Sequence, residues 1–98
     1  MNNLREKLIK IISHFGLKNQ TKKLAEEVYE LQEAISDAKG YPIDPICKEH
    51  IAEEIADVCV LLNQFIEYFA LDGYHIDDLI DKKVDRTIDR IKEGYYDM

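Results

Sequence analysis

Cysteine, proline, glycine and tryptophan are all scarce: two, two, four and none in 98 residues. Cys47 and Cys59 stand twelve residues apart on one predicted helix, too far along its axis for a disulfide, so both read as free thiols with a buried, structural role. Basic residues are outnumbered 13 to 20 by acidic ones, and the formal charge of -7 excludes binding to a polynucleotide backbone or an anionic membrane surface. A small anionic ligand fits only if metal neutralises the acidic groups beside it. Long apolar runs are also missing. The richest, "VCVLLNQFIEYFAL", is too short and too interrupted to span a bilayer, and "MNNLREKLIK" lacks the core of a signal peptide. The expectation is a cytoplasmic protein.

No stretch alternates apolar and polar residues with the period of a strand, so the predicted class is all-α, in one domain over residues 1–98. Four helices follow from period and punctuation. The first covers 3–15, with Asn3 and Glu6 in the relation of an N-cap and its reciprocal partner, and ends at Gly16. The second runs from about Asn19 to Ala38, with Leu24, Val28, Leu31 and Ile35 on one stripe. Asp44-Pro45 closes the connector "KGYPIDP" and starts the third, which extends to about Leu71. "DGYH" breaks the pattern, and a fourth helix spans about Ile76 to Glu93 before Gly94. The tail over 94–98 is expected to be loosely held, with its tyrosines able to pack back.

From Val58 to Leu71 only Asn63, Gln64 and Glu67 are strongly polar, so this half-helix is apolar nearly all round. Four short helices cannot cover it in one chain, and a domain this small buries only about two thirds of its surface. The bundle is therefore expected to complete its core by dimerisation. Phe15, Phe65 and Phe69 read as core, and Tyr29 and Tyr68 as packing residues. Asn63 and Gln64 fit either the reading of a nucleobase edge or a cross-link between subunits.

What the chain does have is acid, and in a repeated form. "LAEEVYEL" at Leu24–Leu31 returns as "IAEEIADV" at Ile51–Val58, 27 positions later. Residues three apart share a helix face, so Glu27 with Glu30, and Glu54 with Asp57, can each converge on a ligand. A connector of about seven residues makes the second and third helices antiparallel neighbours. Glu30 and Glu54 then lie at matched depth from the turn, and Glu27 and Asp57 one turn further out, so the four carboxylates are expected to meet. One acidic pair is an ordinary solvated surface. Two matched pairs are hard to explain without a hard divalent cation, Mg²⁺ or alternatively Mn²⁺, to relieve their repulsion. His50 and Lys23, each one turn before a glutamate, sit on the same flanks, and His50 is expected beside the ligands rather than among them. On the fourth helix Lys83, Arg86 and Arg90 fall on one flank of the Ile76–Leu79–Ile80–Val84–Ile91 stripe, where they suit phosphate oxygens or pair with Asp85 and Asp89.

"EEVYE" at Glu26–Glu30, a 23-residue gap and "EIAD" at Glu54–Asp57 resemble the EExxE…ExxD signature of MazG-like nucleotide pyrophosphohydrolases. With "KKLA" before it, the "AEEIADVCVLLNQF" context and the basic last helix, the resemblance covers roughly residues 17–94. It implies a four-helix MazG-like domain and Mg²⁺-dependent hydrolysis of a nucleoside triphosphate, ribo or deoxy, to the monophosphate and pyrophosphate. It also implies Glu27, Glu30, Glu54 and Asp57 as catalytic metal ligands, in a homodimer or dimer of dimers. "KKVDRTIDR" departs from relatives that carry a lysine followed by an asparagine there. The alternatives are a phosphoribosyl-ATP pyrophosphatase-like enzyme, whose histidine after ExxD is missing here, and a non-catalytic helical interaction module. A di-iron bundle would need Glu-x-x-His, which neither Glu27 nor Glu54 begins.

Overall fold

Glycine, proline and aspartate divide the chain much as their chemistry requires. The computed structural model describes residues 3–40 and 42–94, and the expectation for the tail beyond Gly94 falls outside the described residues. Helices α1 (Leu4–Phe15), α2 (Leu17–Asp37), α3 (Pro45–Tyr68) and α4 (Ile76–Lys92) account for most of it, with a short 3₁₀ turn at Asp72–Tyr74. Gly16 alone joins α1 to α2. Its φ of 88° and ψ of 151° belong to a region open essentially to glycine, which lets it end one helix and cap the next. Asp44 caps α3 through its side chain, which accepts from the Ile46 N–H at 2.7 Å, with Pro45 in the first turn. Asn3, by contrast, makes no side-chain cap bond, so the reciprocal cap expected at the start of α1 is not formed.

The third helix stops at Tyr68, short of the expected Leu71. Ala70 takes a left-handed conformation (φ 53°), Leu71 N–H donates to Ile66 O at 2.9 Å and Ala70 N–H to Glu67 O at 3.2 Å. These bonds form a Schellman closure, with alanine in the place usually held by glycine.

Helices α2 and α3 are antiparallel. Gln20 near the start of α2 meets Gln64 near the end of α3, while Glu30 lies beside Glu54 at the other end of the pair. Helix α1 packs mainly on α3 through Leu8 and Ile12, and Arg5 Nε donates to Glu67 Oε1 at 2.6 Å at its outer end. The interior is mixed in character. Its apolar members are Leu8, Ile12, Ala34 and Leu61, and its polar ones Gln20, Glu27 and Gln64. On α2 the buried residues are Gln20, Glu27 and Ala34, spaced by seven, whereas Val28 and Ile35 of the predicted apolar stripe are exposed.

Helix α4 stands apart and buries none of its residues. Leu79, Ile80, Val84, Ile88 and Ile91 all remain at least two fifths exposed. Phe15 and Phe69 are also exposed rather than core, as are Tyr29 and Tyr68, and the Tyr68 ring meets that of Phe69 edge-on at 5.0 Å. Cys59 is exposed and Cys47 half-buried, both free, so the burial expected of the thiols is not found in the single chain. One cause is common to these departures: three helices of this length have too few facing surfaces for the apolar residues they carry. The radius of gyration, 17.0 Å, accordingly exceeds the value of about 13 Å for a compact chain of this length. No helix among the described residues is long and apolar enough to cross a membrane.

Candidate metal centre

Two carboxylates a single turn apart on α2 and one on α3 come together where the twin octets face each other. Glu27, Glu30 and Glu54 each present an oxygen within 4.8 Å of the others. Glu27 is buried, Glu54 half-buried and Glu30 exposed. The two less exposed members are each approached by the side chain one turn earlier: Lys23 Nζ lies 3.0 Å from Glu27 Oε1, and His50 Nε2 lies 3.4 Å from Glu54 Oε1. Their second oxygens, Glu27 Oε2 and Glu54 Oε2, are buried without a hydrogen-bond partner among the described residues.

Such an arrangement is costly for the protein alone. A buried carboxylate oxygen without a partner forfeits its hydration, and neighbouring negative charges oppose ionisation. The electrostatics register this: the Glu30 carboxyl is held above its ordinary value, first by the negative charge of Glu27, then by a hydrogen bond to Glu27, with desolvation and Glu54 adding to it. The Lys23 ammonium is correspondingly raised by its bond to Glu27. A hard cation answers all of these features, since its oxygen ligands are carboxylates and a three-carboxylate set leaves coordination positions for water and phosphate.

Asp57, the fourth predicted ligand, lies one turn beyond Glu54 and is exposed; it stands outside the trio. It lines an adjoining cleft of ≈ 210 Å³ with Glu27, Lys23 and Gln20 on one side and Val60, Leu61 and Gln64 on the other. A larger hollow, ≈ 400 Å³, lies at the α3–α4 turn among Asn63, Ile66, His75 and Asp77, and contains none of these carboxylates. The predicted phosphate residues Lys83 and Arg86 are exposed on α4 and Arg90 is half-buried. Among the described residues no ion pair joins Lys83 or Arg86 to the three glutamates.

One residue at this site escapes the sequence reading. Gln20 donates through Nε2 to Gln64 Oε1 at 2.8 Å, and the two are 6 % and 2 % exposed. The signal was its spacing: Gln20 precedes Glu27 by seven residues, two turns along the same face.

Comparisons with curated proteins and with solved structures yield no match. A family model does match, over residues 15–94, which takes in both acidic octets, all of α2, α3 and α4, and the cleft between α2 and α3. That model describes the MazG nucleotide pyrophosphohydrolase domain, and the chain, all-α with its paired acidic helices, belongs to this family of hydrolases.

Proposed function

We propose that the protein hydrolyses a nucleoside triphosphate, ribo or deoxy, to the nucleoside monophosphate and pyrophosphate, using Mg²⁺, with Mn²⁺ able to substitute. The observation that carries this reading is the pair of buried, unpartnered oxygens of Glu27 and Glu54 inside the glutamate trio. Glu27, Glu30 and Glu54 would hold the ion, with Asp57 on the adjoining cleft as the fourth ligand. When bound, the ion supplies charge neutralisation for phosphate oxygens and acidifies a water molecule.

The chain's own groups do the rest. Water oxygen bonds to the α-phosphorus while the bond from that phosphorus to the bridging oxygen breaks, so pyrophosphate leaves. A carboxylate of the cluster that the ion does not fully engage accepts the proton lost by the water. Lys83, Arg86 and Arg90 are proposed to meet the triphosphate oxygens and to stabilise charge on the departing pyrophosphate. Since α4 stands apart from the other helices of its own chain, this requires assembly. The exposed apolar faces of α3 and α4 support a homodimer or dimer of dimers. Two free cysteines fit a reducing cytoplasm.

The test is pyrophosphate release from a panel of common and modified nucleoside triphosphates, with and without Mg²⁺. Release that needs the cation is expected for at least one substrate. A protein inert toward the whole panel, whose melting temperature is also indifferent to Mg²⁺ and Mn²⁺, would instead be a helical interaction module.

A further inference from the structure

The cleft beside the glutamates runs from carboxylates at one end to a pair of buried amides at the other, with Val60 and Leu61 along one wall. Gln20 and Gln64 are both more than nine-tenths buried, and they hydrogen-bond across the α2–α3 seam at 2.8 Å. That bond uses one of Gln20's two donors and one lone pair of Gln64, so each amide retains further donor and acceptor capacity. A pair kept only to join two helices would be a poor choice, because replacing both members of a buried hydrogen bond by apolar groups of similar shape is close to neutral or stabilising.

Position adds a second argument. Gln20 lies seven residues before Glu27, and Gln64 seven after Asp57, so on both helices the amide sits two turns, roughly 10 Å, from a carboxylate of the site. All four side chains line one cleft, with Lys23 between the ends and Val60 and Leu61 as an apolar wall. From carboxylates to amides, this order matches the order of parts in a nucleotide: phosphate by the cation site, then sugar, then a flat ring with an apolar face and a hydrogen-bonding edge.

We infer that Gln20 and Gln64 form the base-reading end of the cleft and set which nucleobase the protein selects. This deepens the proposed pyrophosphohydrolase reading and rests on it. The Gln20 oxygen and the Gln64 NH₂ offer an acceptor beside donors to the base edge. An exchange of both amide orientations reverses that pattern while preserving the bond between them.

The experiment uses the unaltered protein, ¹⁵N-labelled, with the side-chain NH₂ resonances of Gln20 and Gln64 assigned. Each common nucleoside monophosphate is titrated in the presence of Mg²⁺, alongside ribose 5-phosphate and pyrophosphate as base-free probes. The expected result is that both NH₂ signals shift with at least one nucleotide, with a preference among bases of about tenfold or more, and stay in place with the base-free probes. In Q20L/Q64L the preference between bases should fall to within about threefold, while the Mg²⁺-induced thermal shift keeps its parental size. Signals unmoved by every nucleotide, or moved equally by the base-free probes, overturn the inference. So does a folded Q20L/Q64L protein with the parental base preference. Base-selective shifts in a protein that releases no pyrophosphate would uphold the base site and overturn the reaction instead.

Discussion

Glu30 differs from its two partners in exposure, and that difference gives it a measurable signature. Folding raises its carboxyl above the ordinary value of 4.5, so the folded chain binds this proton more tightly than the unfolded chain does. The associated stabilisation is complete below 4.5 and is lost as pH rises through the raised value. Metal-free Glu30→Gln should therefore gain stability relative to the parent as pH increases across that window, which melts of both proteins from pH 4.5 to 7 would show; parallel curves would mean that Glu30 feels no neighbouring charge. The three glutamates were legible in the sequence because Glu-x-x-Glu on one helix and a matched acidic turn on the next dictate convergence. Gln20 was not. A glutamine at a helix start reads as solvated, and its spacing of seven from Glu27 gains meaning only beside its partner Gln64 across the seam, 44 residues away.

Helix ends carry two further consequences. Ala70 occupies a left-handed position that costs an ordinary residue roughly 1–2 kcal/mol, so Ala70→Gly should stabilise the chain by up to about 1 kcal/mol after glycine's own entropic cost. Gly16→Ala should act in the other direction, by about 1–3 kcal/mol, although a methyl group there would meet nothing within 4 Å. Denaturant midpoints of the two variants check both signs. Helix starts were the readable part, since Asp44-Pro45 has the chemistry of a cap and obeys it. The end of α3 was not, because nothing local to alanine announces a left-handed turn. On α4 the amphipathic stripe was legible but its partner was not, as a stripe specifies a face and not what covers it. For the basic flank, alanine at Lys83 or Arg86 should raise KM for the triphosphate several-fold with little change in melting temperature; unchanged kinetics in both would return them to the solvent.

At the scale of the whole molecule, the chain leaves the apolar side chains of α4 and much of α3 open, and the proposed self-assembly rests on that exposure. Sedimentation at micromolar concentration should give a dimer or larger species, and Ile88→Lys, placed on the open face of α4, should shift it toward monomer. A compact 11.5 kDa species for the parent would contradict this. The apolar half-helix from Val58 to Leu71 was legible in the sequence, and in the single chain Val60, Leu62, Tyr68 and Phe69 stay exposed; what covers them is the question that sedimentation answers.

The proposed metal centre is tested most directly by melting the parent and Glu54→Gln side by side across a Mg²⁺ titration. Glutamine keeps the shape and nearly the helix propensity of glutamate, and removes one charge from a mutually repelling set. Without metal the variant should therefore melt at or above the parental temperature. With Mg²⁺ the parent should rise by mass action on its folded-state site, and the variant far less, with pyrophosphate release lost alongside. Equal Mg²⁺ shifts in the two proteins, together with near-parental turnover in the variant, would contradict a metal centre built on Glu27, Glu30 and Glu54.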